Sequence, residues 1–179
     1  MNGTARFLLA LSAVVFTAEA QAAQSNFGTS AAQLCYQAAT YGPSPSDLQV
    51  CTHAIDDEDM TRLNLAATYS NRGIVWGARG RLDRALEDQN KSIGLNPESA
   101  RAYINRANVQ YRLKKYDAAL ADYGKAIDFS GGNLALVYYN RSLALAAVGN
   151  RNAAIADMQH ALQLAPGNVA YLNALNNLQ

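Results

Sequence analysis

A period of about 34 residues constrains this chain more than any other feature. Three stretches, starting at Ala66, Ala100 and Ala135, repeat one pattern. Tyr69, Tyr103 and Tyr138 fall in register, as do Asn71, Asn105 and Asn140, and Arg72, Arg106 and Arg141. Downstream, Ala85, Ala119 and Ala154 align, followed by Asp88, Asp122 and Asp157. The spacing is 34 and then 35, with the extra residue in the loop Ser130-Gly131-Gly132-Asn133. Such a period marks stacked units, because one small unit cannot bury its own apolar face and a stack of them can.

Each unit reads as two amphipathic helices. The first ends near Gly80, Lys114 or Gly149, and glycine suits a left-handed helix end. The second ends before Pro97, Gly131 or Pro166. Small residues recur where two helices must approach closely: Gly73, Ala107 and Ser142 on first helices, then the Ala85 series and Ser92, Ala126 and Ala161 on second helices. Trp76, Leu86, Ile93, Leu120, Ile127, Leu145, Ile155 and Leu162 are expected to fill the space between. Abundant alanine and only 4 prolines in 179 residues favour helix throughout.

The recurring residues resemble the tetratricopeptide repeat family. The matches are Tyr69-Gly73-Ala85-Pro97, Tyr103-Ala107-Ala119-Ala126 and Tyr138-Ser142-Ala154-Ala161-Pro166. The departures are Ser92 for alanine, Gly131 for proline, and the three arginines where the family usually has an apolar residue. The resemblance implies an all-α, right-handed superhelix of antiparallel helix-turn-helix hairpins. The chain divides into 1–22, a signal peptide; 23–65, a degenerate hairpin and linker; repeats at 66–99, 100–134 and 135–167; and a capping helix, 168–179. The cap follows from Asn173, Asn176, Asn177 and Gln179, which give the last helix a wet outer face.

Export is expected from the N-terminus. Arg6 is a short basic region, Phe7 to Phe16 an apolar run too short to span a bilayer, and Ala20-Gln21-Ala22 a cleavage pattern. The periplasm is the expected compartment, with no membrane span left after cleavage. Within 23–65, Cys35 and Cys51 are 16 residues apart, on either side of a turn at Gly42 to Ser46. That separation places them face to face in a hairpin, and export favours a disulfide over two buried thiols. Ser30 is a suitable N-cap for the first of these helices. The acidic run Asp56-Asp57-Glu58-Asp59 is expected to start the following helix, where negative charge is favourable.

Arg72 and Asp88, Arg106 and Asp122, and Arg141 and Asp157 are each also 16 apart. Each arginine faces an aspartate of its own hairpin or of the preceding one, and either arrangement makes a structural ladder. In the family, first helices line a concave face. The resemblance places Asn71, Ile74, Arg101, Ile104, Asn105, Asn108, Tyr111, Arg112, Tyr139, Asn140 and Leu143 there, with Ser70 and Leu136 beside them. Tyrosine and arginine are common interface anchors, and asparagine bonds both polar ends of a peptide unit. The subclass that clamps acidic C-terminal peptides carries a lysine and arginine set. Ser70, Ile74, Leu136 and Asn140 stand in its places, and only Asn105 matches.

Formal net charge is +1 and charges of both signs are scattered along the chain, a poor basis for nucleic-acid binding. No G-x-S-x-G, H-E-x-x-H or phosphate-binding glycine loop is present. His53 and His160 read as surface residues, so no metal, cofactor or catalytic group is expected. The leading expectation is an adaptor that binds a peptide or protein. The alternatives are a self-associating envelope protein or an accessory subunit of an envelope enzyme.

Overall fold

The computed structural model describes residues 30–42, 47–132 and 134–179. The expected signal peptide and the turn residues Pro43 and Pro45 lie outside them. The described residues form nine helices and no strand: α1 (Ala31–Tyr41), α2 (Asp47–Asp57), α3 (Arg62–Ala78), α4 (Leu82–Leu95), α5 (Ala100–Arg112), α6 (Tyr116–Ser130), α7 (Ala135–Ala147), α8 (Arg151–Leu164) and α9 (Val169–Leu178). None of them is long and apolar enough to cross a membrane. Successive pairs form hairpins, and the hairpins stack in chain order into an all-α superhelix.

Local chemistry sets the helix ends. Ser30, Thr61 and Ser99 each accept a bond from the backbone N–H three residues on, at 3.2, 3.2 and 3.3 Å. First helices of the repeats end at Gly80, Lys114 and Gly149, all in the left-handed region. Lys114, at φ 59°, is the one non-glycine residue there among those described.

The acidic run does not start the next helix. Asp56 and Asp57 finish α2, and α3 begins only at Arg62, behind the Thr61 cap. Glu58 instead accepts from the N–H groups of Ala31 (2.6 Å) and Ala32 (3.3 Å). The first turn of α1 leaves backbone donors unsatisfied, and this carboxylate meets them.

Packing follows the small residues. Ala85, Ala107, Ala119, Ala126, Ser142, Ala154 and Ala161 are fully buried, which lets adjacent helices approach closely. The large residues expected between them are only half-buried: Trp76, Leu86, Ile93, Leu120, Ile127, Leu145, Ile155 and Leu162 keep one side at the surface. The largest enclosed side chains are Tyr123, Met158, Gln89, Val75 and Val137. Gln89, Tyr123 and Met158 occupy one repeat position on successive second helices, three residues beyond Leu86, Leu120 and Ile155. Three residues along an α-helix leave the two positions about 60° apart round its axis, so the first lies at the margin of the face that the second turns into the stack.

Cys35 and Cys51 are joined, with an S–S distance of 2.08 Å, and pack fully buried against Ala38 and Val75. At the other end α9 covers the stack. Tyr171 packs with Met158 and Ala161, and Arg151 donates to the Leu178 carbonyl. Asn173, Asn176, Asn177 and Gln179 face solvent, beside exposed Val169 and Leu172.

Candidate functional site: the concave face and its supports

The sequence expectation treats the concave residues as a strip of available side chains. Several of them instead tie the units together. Gln89 of α4 donates Nε2 to the Ser70 carbonyl (2.9 Å), and the Ser70 hydroxyl donates back to Gln89 Oε1 (3.0 Å). Asn105 of the next unit donates Nδ2 to Ser70 Oγ (3.0 Å). One unit further on, Tyr123 donates its hydroxyl to Asn108 Oδ1 (2.6 Å), and Asn140 donates Nδ2 to the same oxygen (3.1 Å). Both chains run from a second helix, through its own first helix, to an asparagine of the following unit. Burial, chiefly, pushes the Tyr123 phenol well above the ordinary tyrosine range, so it stays a donor.

Other expected contact residues are similarly engaged. Ile104 is buried in the core cluster with Tyr103, Ala107 and Tyr123, where it adds packing and no groove surface. Arg112 donates Nη1 to the Gly77 carbonyl at 2.7 Å and so caps the end of α3. Tyr139 stacks on Tyr171 of the capping helix, with ring centroids 4.8 Å apart. Tyr111 lies against Tyr116 at 5.5 Å, and burial raises its phenol above the ordinary value. The concave side chains bridge units because first helices of neighbouring hairpins lie side by side there. Asn71, Ile74 and Leu143 are half-buried and Arg101 is exposed. Asn71, Asn105 and Asn140 thus stand on three successive first helices, and among the described residues no other group donates to their Oδ1 atoms.

The arginine–aspartate ladder lies within hairpins. Arg72 holds Asp88 through Nε (2.8 Å) and Nη2 (3.0 Å), Arg106 holds Asp122 at 2.7 and 2.8 Å, and Arg141 holds Asp157 at 2.6 and 2.7 Å. Hydrogen bonding to the aspartate is the largest influence on each guanidinium and holds its pKa above the ordinary arginine value. A third bond reaches the preceding unit: Arg72 Nη1 to Thr52 Oγ1 (3.1 Å) and Arg106 Nη1 to Asn90 Oδ1 (2.8 Å). Gly124 holds the equivalent place before Arg141 and offers no side chain. Each guanidinium also lies 5.5 Å from the ring centroid of the tyrosine three residues before it. Lys91 and Lys125 approach the same rings of Tyr69 and Tyr103 at 5.1 and 5.9 Å. His160, expected at the surface, is half-buried with its ring 4.2 Å from that of Tyr138. His53 is exposed and meets Asp57 at 2.6 Å.

Sequence reading missed Gln89 and Tyr123. The signal was available in the 34-residue recurrence of that position, but its members, glutamine, tyrosine and methionine, share no chemistry.

The geometry is that of a stack of tetratricopeptide hairpins, and comparison with known proteins agrees. Tetratricopeptide repeat family models match residues 100–133 and 135–168. The chain carries tetratricopeptide repeats over these residues. It is 40% identical over 70 residues to the TPR repeat-containing thioredoxin TDX of Arabidopsis thaliana, across 39% of this chain and 18% of that protein. It is 32% identical over 69 residues to Hsp70-Hsp90 organizing protein 2 of the same plant, across 38% and 12%. The chain therefore spans less than a fifth of the length of these curated relatives. Among solved structures it resembles the first TPR of Spaghetti (RPAP3) bound to the HSP90 peptide SRMEEVD, with TM-score 0.61, 26% identity, and 63% and 89% of the two chains covered. A double mutant of MamA from RS-1 shares the fold at TM-score 0.69 and 21% identity, with 84% of each chain covered.

Proposed function

We propose that this chain is an exported adaptor that holds an extended segment of another protein on its concave face and carries out no catalysis. The carrying observation is the row formed by Asn71, Asn105 and Asn140. Two of these amides are fixed through Nδ2 by the preceding unit, which presents Oδ1 as a pre-oriented acceptor for backbone N–H groups. Half-buried Ile74 and Leu143 add apolar surface beside them. The RPAP3 neighbours hold the peptides SRMEEVD and SGPTIEEVD, which supports a protein segment as the ligand class. With Ser70, Ile74, Leu136 and Asn140 in the clamp places, a neutral, partly apolar segment suits this face better than an acidic tail. The joined cysteines suit an oxidising compartment, in keeping with export to the periplasm.

Photoreactive residues at Ile74 and Leu143 test the reading in protein expressed in its native compartment. They should capture one partner, and Ile74→Glu/Leu143→Glu should abolish capture while the helical circular dichroism persists. Unchanged capture by that folded variant would remove the concave face from the function. Tyr139, Arg112, Lys91 and Lys125 are unsuitable probes or controls, because each supports the stack or a ring within it. Self-association through the stack end is a second reading, favoured by exposed Val169 and Leu172 on α9. Light scattering would then show an oligomer that Leu172→Glu dissolves.

A further inference from the structure

The charges that look scattered in the sequence are sorted by the fold. Antiparallel hairpins place every turn between a first and a second helix on one edge of the stack, and every link between hairpins on the opposite edge. The turn edge carries Arg79, Arg81, Arg84, Arg112, Lys114 and Lys115, all exposed. The turns of the first two repeats are neighbours, since Arg112 of one reaches the Gly77 carbonyl of the other at 2.7 Å. The acidic groups on this edge are Asp47, Asp83, Glu87 and Asp117, with Asp83 and Glu87 in exposed pairs with Arg81 and Arg84. The link edge and the helix ends flanking it carry Asp56, Asp57, Glu58, Asp59, Glu98 and Asp128, against Arg62 and Arg101, with Lys91 and Lys125 a turn further in.

The outer turns on the basic edge differ from the middle ones. Tyr41, at the end of α1, is 84% exposed, and Val148, at the end of α7, is 44% exposed. The edge is therefore a row of loop tips, basic in the middle with a bare apolar or aromatic side chain towards each end. Lys114 adds a separate observation. It takes the left-handed position that glycine occupies in the other two repeats. A lysine there strains the backbone, and a strained residue held against the repeat pattern points to a role for its side chain.

We propose that this turn edge docks on an anionic phospholipid surface. Basic clusters bind such surfaces through headgroup charge, while exposed aromatic and apolar tips settle at the interface. The acidic link edge would turn away from the membrane, which orients the stack and leaves the concave face open at its side. This inference is independent of the ligand assigned to the concave face.

Co-sedimentation of the full chain with vesicles tests it. One set is pure phosphatidylcholine and the other contains 30% phosphatidylglycerol, a proportion of roughly a third chosen to give a strongly negative surface. Binding should favour the anionic vesicles and weaken steeply with added salt. Any contribution of residues 1–29, Arg6 included, is common to the parent chain and its variants and cancels when they are compared on the same vesicles. Lys114→Glu/Lys115→Glu should reduce the anionic preference by at least about twentyfold. Tyr41→Ser should weaken binding on the same vesicles. Lys114→Gly separates docking from folding: it should raise the melting temperature and still lower vesicle binding by about fivefold. Equal binding to both vesicle types, or an anionic preference unchanged by the double reversal, overturns the proposal. So does capture by soluble polyglutamate with no vesicle binding, which would assign the edge to an acidic protein partner.

Discussion

Replacing Arg106 with methionine should remove a large part of the stability of this stack, and the structure supplies the magnitude. Arg106 makes two bonds to Asp122 and a third to Asn90 of the preceding unit. The Asp122 side chain is 6% exposed and that of Arg106 is 21%. Methionine keeps much of the packing volume of the stem but leaves a buried carboxylate without its counter-charge. Breaking a fully buried pair costs about 3–5 kcal/mol. Part of the guanidinium reaches solvent, so a loss of about 2–3 kcal/mol is expected here. Asp122→Leu should cost a similar amount, because it strands the arginine. The double variant Arg106→Met/Asp122→Leu should recover most of the loss, because a buried pair is nearly balanced against its own desolvation. Urea unfolding followed by circular dichroism, run as a double-mutant cycle, should give a coupling of about 3–4 kcal/mol. Additive single losses, or an Arg106→Met cost below about 0.5 kcal/mol, would refute the claim that this pair supports the stack.

Two glycines with opposite surroundings give a second test. A Cβ on Gly73 would lie 2.6 Å from Gln89 Nε2 and 3.3 Å from the Ala85 carbonyl, whereas one on Gly94 would meet nothing within 4 Å. Gly73→Ala should therefore destabilise by about 1–3 kcal/mol and Gly94→Ala stabilise by about 0.5–1, as chemical unfolding would show. Cys35→Ser/Cys51→Ser should cost about 3 kcal/mol, read as faster amide exchange in α1 and α2 before the repeats respond. Burial raises the Tyr123 phenol, so its contribution is complete below pH 10 and is lost as pH rises through the folded-state value. Stability should fall as alkali ionises this residue in the unfolded chain, and Tyr123→Phe should flatten that limb of a pH titration.

The sequence alone determines the repeat, its hairpins and their caps. Helix propensity, turn residues and small-residue positions act locally, so a 34-residue recurrence of Tyr69, Ala85 and Pro97 and their counterparts suffices to specify them. It spaces Arg106 and Asp122 16 residues apart but leaves the arginine a choice between the aspartate of its own hairpin and that of the preceding one, and the tertiary structure pairs them within one hairpin. Contacts between units depend on how hairpins tilt against one another, which no single repeat encodes. Only the tertiary structure turns Arg106 towards Asn90, joins Asn105 to Ser70, and sets Tyr139 against Tyr171. For the same reason the concave residues divide into supports and available groups only in three dimensions. Periodicity assigns a side chain to a face, but the neighbour that meets it there comes from a separate hairpin. The acidic run shows this most directly. Glu58 lies 27 residues from the N–H of Ala31, and closure of the first hairpin onto its own linker makes it a cap for α1.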